Sequence, residues 1–389
     1  MDFNLLFPEN IVFGAGRLRS LPKIISETGN RILLVTGKSS FLASRYWDVL
    51  SNQFSQGTIS CKIAPIPGEP SPGMIDKAVA EFQDYMPEVV VAIGGGSVLD
   101  AGKAISAMLP IHEPVKKYLE GVGDGGVHPG KKIPFIAVPT TAGTGSEATK
   151  NAVISQIGVN GFKKSLRHNN FIPDIALIDP ELCLNCPEHI TAWSGMDAFT
   201  QLLESYLSTN ANPMTDSLAL SGMGMVSKYL ERVVHDGNDL EARSGMAYAA
   251  LCSGITLANA GLGTVHGFAS SIGGRFDIPH GLVCASLMGP TNEMTFNTLM
   301  KNDPDSPFIK KYARAGKLFF GSEDRDDVFY SEFLINKIHD LSLAFNLPKL
   351  NDHGFDPDCI EEIIAKTSNK YNPVQLLPEE LNRILEKAV

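Results

Sequence analysis

No apolar run in this 389-residue chain approaches the length needed to cross a bilayer. The N-terminal MDFNLLFPEN lacks the basic and apolar regions of a secretory leader. Together these absences predict a cytoplasmic protein with no membrane partner. Positive charge is also scarce: 33 Lys and Arg stand against 43 Asp and Glu, a formal net charge of −10. A phosphate backbone is held by basic surface, so no nucleic-acid partner is expected. The six cysteines, at 61, 183, 186, 252, 284 and 359, are scattered apart from one CxxC, Cys183 and Cys186. With no second pair and no thioredoxin-like surroundings, that CxxC reads as two reduced thiols rather than a zinc site. No internal repeat, low-complexity tract or long linker breaks the chain.

What is present is ordinary globular composition, 43% hydrophobic and 20% charged. At this length two domains are expected. Short β-branched runs at 32–36, 89–93, 133–138 and 175–178 are separated by helical spacing at 71–85 and 97–109. Such runs predict a parallel sheet with helices on both faces. Glycine and proline punctuate the joints at 65–73 and 121–130, the second an expected exposed loop. Near residue 180 the strand runs stop. Helical patterns follow at 191–208, 213–234, 240–259, 308–320 and 330–345, and again in the closing LPEELNRILEKAV. The expected organisation is an α/β domain over 1–182 and an all-α domain over 183–389, closely apposed with a cleft between them.

Two glycine-rich segments follow strands. The run 89–93 leads into Gly94-Gly95-Gly96-Ser97, with Ser97 as expected N-cap and Asp100 completing a capping box. Residues without Cβ let a pyrophosphate reach the backbone, and a helix N-terminus offers unpaired N–H groups. The spacing is not G-x-G-x-x-G, because Leu99 stands where the last glycine belongs. The second segment, PTTAGTGSEAT at 139–149, supplies the hydroxyls of Thr140, Thr141, Thr144 and Ser146. They suit a ribose, a nicotinamide amide or a phosphate at the C-terminal end of a strand. A loop capped by its own hydroxyls is the alternative.

Further on, Asp197 and Gln201 lie four apart and share a helix face, with Glu204 next along it. Asp197 offers a carboxylate to a cation and Gln201 an amide oxygen. His266 shares a face with Ser270, and His280 sits in a Pro279-His280-Gly281 bend that could aim it inward. One carboxylate and two neutral imidazoles hold a divalent metal with a coordination position left open. For either histidine taken singly, a hydrogen-bonded structural role is the alternative.

GGGSVLDAGKAIS, PTTAGTGSEAT, IDPEL, SGMDA, TDSLAL, LGTVHGFA and IPHG occur here in one order. Through them the chain resembles, over essentially its whole length, the iron-containing (group III) alcohol dehydrogenases. The resemblance implies a dehydroquinate synthase-like architecture: a dinucleotide-binding α/β domain, an all-α domain and a metal in the cleft. It also implies a homodimer formed through the N-terminal domain. Gly95, Gly96, Ser97 and Asp100 would contact the pyrophosphate. Thr140, Thr141 and Thr144 would line the ribose and nicotinamide, with Asn151 and Lys163 near the ribose. Asp197, His266 and His280 fall on three metal ligands of the family and would carry catalysis. Gln201 stands where the fourth ligand, a histidine, belongs, and Ser270 replaces a second histidine. An amide oxygen binds late first-row metals less strongly than imidazole, which weakens the set for iron, while glycerol dehydrogenase-like relatives hold zinc on one aspartate and two histidines; the resemblance thus implies Fe2+ or Zn2+. Gly37 stands where NAD-preferring relatives carry an aspartate; glycine leaves room for a 2′-phosphate, Lys38 supplies positive charge and Ser39 and Ser40 supply donors, which favours NADP(H) over NAD(H).

The implied activity is a metal-dependent, NAD(P)(H)-linked alcohol dehydrogenase or aldehyde reductase acting on a small alcohol or carbonyl compound. The alternatives are a metal-independent maleylacetate reductase-like enzyme, a dehydroquinate synthase-like lyase and a non-catalytic nucleotide-binding protein.

Overall fold

A computed structural model describes residues 2–123, 125–322 and 324–389. Its first half carries strands β1 (Asn10–Phe13), β2 (Arg31–Gly37), β3 (Ser60–Ile66), β4 (Val89–Gly94), β5 (Phe135–Pro139), β6 (Asn151–Gln156), β7 (Phe162–Arg167) and β8 (Ile175–Ile178). Helices α1 (Leu21–Ser26), α2 (Arg45–Gln56), α3 (Pro72–Phe82) and α4 (Gly96–Met108) lie between them. Six strands form one sheet in the order β1-β8-β5-β4-β2-β3, with every neighbouring pair parallel. Along β2, Leu33 and Val35 enter the core with α3 and α4, while Ile32 and Leu34 enter the core with α1 and α2. Both faces are therefore apolar, which explains why the central strands are unbroken β-branched runs. The expected α/β architecture is present.

Four strands escape the hydrophobic pattern. β1 and β3 are the sheet edges, and β3 carries Lys62 and Pro65, which an edge strand tolerates. β6 and β7 form a separate antiparallel ribbon in which Lys163, Lys164 and Arg167 hide the period. β5 begins two residues later than the expected 133–138 because Pro134 has no N–H for the ladder. The 121–130 loop exposes Gly125 and Val127 but turns His128 inward; its Asp124 lies outside the described residues.

The chain after β8 is helical: α5 (Glu188–Leu207), α6 (Pro213–His235), α7 (Leu240–Ala260), α8 (Thr264–Arg275), α9 (His280–Asn302), α10 (Pro307–Phe320), α11 (Asp327–Ala344), α12 (Ile360–Lys366) and α13 (Pro378–Ala388). Helices α5, α6, α7, α10 and α11 share one core, which includes Phe199, Met223, Tyr312 and Leu334. Among the described residues no single helix is long and apolar enough to cross a membrane.

Two features position the site. From β2 the chain crosses to β3 on one side, and from β4 it passes to β5 on the other. The carboxyl ends of β2 and β4 therefore flank a topological switch point, where ligands of open α/β sheets bind. The loop after β5 is also pressed onto α7. A Cβ at Gly254 would lie 2.1 Å from the Gly145 carbonyl oxygen, and Gly145 itself has φ +60°. Only glycine at both positions permits this approach. It brings the loop of the sheet half against the helical half.

Candidate active site

Asp197 sits in the middle of α5, fully buried, where Gly143 of the β5 loop packs on Ser194 one turn earlier. His266 lies in the first turn of α8, and His280 is the first residue of α9, turned inward after Pro279. One turn further along α9 stands Cys284, also buried. Asp197 Oδ1 is 3.3 Å from His266 Nε2 and 3.7 Å from His280 Nε2. Cys284 Sγ is 3.7 Å from each of those nitrogens. All four atoms lie within 4.8 Å of one another. The His280–Asp197 separation is too long for a hydrogen bond. It falls near the ~3.4 Å edge of a tetrahedron built on metal–ligand bonds of about 2.1 Å.

The surroundings orient these donors. Glu204 Oε2 accepts from His266 Nδ1 at 2.7 Å, while its other oxygen accepts from Val265 N at 2.7 Å. That places the Nδ1 proton on the far side of the ring and turns Nε2 toward the cluster, as carboxylate–histidine pairs do at metal sites. Gln201 Nε2 donates to Asp197 Oδ2 at 3.2 Å, and Gln201 Oε1 accepts from Ser253 Oγ at 2.9 Å. Gln201 therefore does not present its oxygen to the cluster as expected. A carboxylate accepts only, so the amide turns its NH2 to Asp197. Ser270 is exposed and donates to the His266 carbonyl, away from the cluster.

Charge is strongly coupled here. Burial opposes ionisation of Asp197, yet His280 and His266 outweigh it and hold its pKa below the usual range. Burial pushes His280 down to about 4 against the pull of Asp197, with Lys163 and His266 adding to the fall. His280 is thus neutral at physiological pH, with a lone pair to offer. For His266 burial is overcome by Cys284, Asp197 and Glu204, and its pKa is raised well above the ordinary value. Burial pushes the Cys284 thiol up to about 12. A divalent cation in the cluster displaces such protons outright. Among the described residues, the buried His280 Nδ1 has no hydrogen-bond partner.

The glycine loops converge on the switch point. The helix α4 begins at Gly96 with Gly95 as N-cap and no side-chain cap, so the expected Ser97–Asp100 capping box does not form. Asp100 is already used: Oδ1 accepts from Ser146 Oγ at 2.5 Å and Oδ2 from Val153 N at 3.1 Å. It ties the β5 loop and β6 to α4. The first-turn amides of Gly96 and Ser97 have no earlier carbonyl to bind. A Cβ on Gly96 would lie 2.7 Å from the Thr144 side chain, and one on Gly95 3.4 Å from Thr141. Thr141 and Thr144 therefore cover the glycines, while Thr140 N donates to Gly94 O at 3.0 Å. Across the crevice Gly37 ends β2, with Lys38 and Ser39 exposed beyond it.

Two expected ribose neighbours have other partners. Asn151 gives its carbonyl to the buried Lys103 Nζ at 2.8 Å and its amide Nδ2 to Ser165 Oγ at 3.4 Å. Lys163 Nζ donates to both oxygens of Glu69, at 2.8 and 2.6 Å, close enough for its charge to be felt by His280. Sequence reasoning missed Cys284. Its one signal is the spacing of four from His280, which matters only if α9 starts at that histidine.

A family model described as iron-containing alcohol dehydrogenase matches residues 8–180. Another, described as the C-terminal part of the Fe-containing alcohol dehydrogenase family, matches residues 191–389. The probable alcohol dehydrogenase EutG of Escherichia coli is 36% identical over 82% of this chain and 78% of its own length. An NADPH-dependent butanol dehydrogenase of Clostridium saccharobutylicum is 30% identical over 99% of this chain and 97% of its own. The crystal structure of a 1,3-propanediol oxidoreductase superposes with a TM-score of 0.88 at 28% identity, covering 100% of both chains.

Proposed function

Because this chain belongs to the iron-containing alcohol dehydrogenase family, we propose that it is a metal-dependent, NADP(H)-preferring reductase of small aldehydes or ketones, run reversibly as an alcohol dehydrogenase. The observation that carries this reading is the convergence of Asp197, His266 and His280 beside loops suited to a dinucleotide. A divalent cation on those three residues would supply Lewis-acid polarisation of the substrate oxygen during hydride exchange with a nicotinamide.

The chain's own residues prepare that event. Gln201 and Glu204 hold Asp197 and His266 in one orientation, so little reorganisation remains. His280 stays uncharged and keeps its lone pair free. The α4 N-terminus and the Thr141–Thr144 loop hold the phosphate and ribose side at the switch point, in the half spanning 1–182. The half spanning 183–389 supplies the ligands. Ser270 carries no titratable proton, so the proton for the product alcohol comes from solvent or from a cofactor ribose hydroxyl.

The NADP(H) preference rests on Gly37, Lys38 and Ser39. Glycine leaves room for a 2′-phosphate, Lys38 supplies charge and Ser39 a donor. Following NADPH absorbance across a panel of small aldehydes tests the activity; no consumption with any of them would refute it. The kcat/KM ratio for NADPH over NADH should exceed one and invert in Gly37→Asp. A clear NADH preference in the native chain would overturn the cofactor assignment.

A further inference from the structure

We infer that Cys284 is a fourth protein ligand of the metal centre and that the resident ion is therefore zinc. The inference rests on the metal reading above and extends it to a residue outside the Asp–His–His set. Position 201, the place for a fourth donor on α5, is closed to this use. Gln201 spends its NH2 on Asp197 and its oxygen on Ser253. The donor missing from α5 is supplied from α9. His280 and Cys284 are four apart at the start of that helix and so lie on one face, over the cluster. Sγ stands 3.7 Å from His266 Nε2 and from His280 Nε2 alike. A tetrahedral zinc with bonds of about 2.3 Å to sulfur and 2.0–2.1 Å to nitrogen sets those edges at roughly 3.6 Å. An apolar filler would have served as well if the position only needed packing. Instead a buried thiol points at two partly buried imidazoles beside the buried Asp197.

Loading breaks the Cys284 S–H bond and forms a sulfur–metal bond, with the proton passing to solvent and no change of oxidation state. A thiolate in the set favours zinc over ferrous iron, since soft sulfur donors select zinc while carboxylate and imidazole alone do not. The approach of a substrate oxygen then requires five-coordination, which catalytic zinc accepts.

The test uses the full-length protein stripped by chelator and reloaded with one equivalent of Co2+ as a coloured substitute for zinc. Wild type should show the visible bands of tetrahedral cobalt and an intense near-ultraviolet thiolate-to-cobalt band. Cys284→Ser should retain cobalt, lose the near-ultraviolet band and bind zinc more weakly by at least the roughly 100-fold upper range seen for outer-shell losses. Cys252→Ser, a cysteine of α7, should keep the band. Cobalt bound to wild type without the band, or a band that survives in Cys284→Ser, overturns the role of Cys284 and leaves the three-ligand centre standing. A wild type that retains no cobalt overturns the metal reading itself, and this inference with it. A wild-type spectrum without the band overturns the role with no variant needed, and Cys284→Ala serves as a second variant should Cys284→Ser fold poorly.

Discussion

Glu204 decides which nitrogen of His266 faces the cluster, because its carboxylate accepts a hydrogen bond from Nδ1 at 2.7 Å. Replacing it by glutamine keeps the shape but removes the charge that fixes the tautomer. Glu204→Gln should fold normally and bind metal about 10–100-fold more weakly, as loss of an outer-shell partner does elsewhere. Competition with a coloured chelator measures this, and unchanged affinity would contradict the role. At this scale the site was partly legible. Asp197, His266 and His280 stand out because carboxylate and imidazole are the residue types a metal needs. The shared helix face suggests Gln201 as a ligand, but the face alone does not say which amide atom points inward. Asp100 and Lys163 carry charges that suit a nucleotide, and each also has a partner inside the protein, Ser146 for Asp100 and Glu69 for Lys163.

At the scale of elements, the clearest sequence signals were those with an undisturbed period. Val89–Gly94 is buried at every residue and reads as a strand at once, while β3 alternates and carries Pro65. The close approach of the β5 loop to α7 left no pattern, since a glycine in a helix has several uses. It makes a prediction. Gly254→Ala would drive a methyl group against the Gly145 carbonyl, now 2.1 Å from that Cβ position. Overpacking of this kind costs about 1–3 kcal/mol, and the loop rather than α7 should yield. KM for NADPH should rise while metal affinity stays unchanged; an unaltered KM would show that the loop is not held from this side.

The same loop carries a pH dependence. Burial raises the Glu147 carboxyl to about 7 from 4.5, with the nearby Lys103 opposing. Between about pH 4.5 and 7 the folded chain keeps a proton that the unfolded chain has released. Stability contributed by this group is therefore complete below the lower value and is lost as pH rises through the upper one. The change is about 3 kcal/mol at 1.36 per pKa unit. Glu147→Gln should flatten that segment of a denaturant-midpoint profile, whereas an identical slope in the variant would contradict the assignment.

For the whole molecule, the two halves divide the work, and the contact between Gly145 and Gly254 joins them. The division was visible in the sequence as a change from β-branched runs to helical spacing. The cluster was visible only as separate letters, because α5, α8 and α9 meet only through the packing of a helical core. That meeting is the centre of this account, and turnover against added metal tests it most directly. Protein stripped by chelator should reduce small aldehydes with NADPH at a small fraction of the native rate. Activity should then rise linearly with added zinc or ferrous iron and break at one ion per chain. Undiminished turnover in a preparation shown to be metal-free would contradict the account.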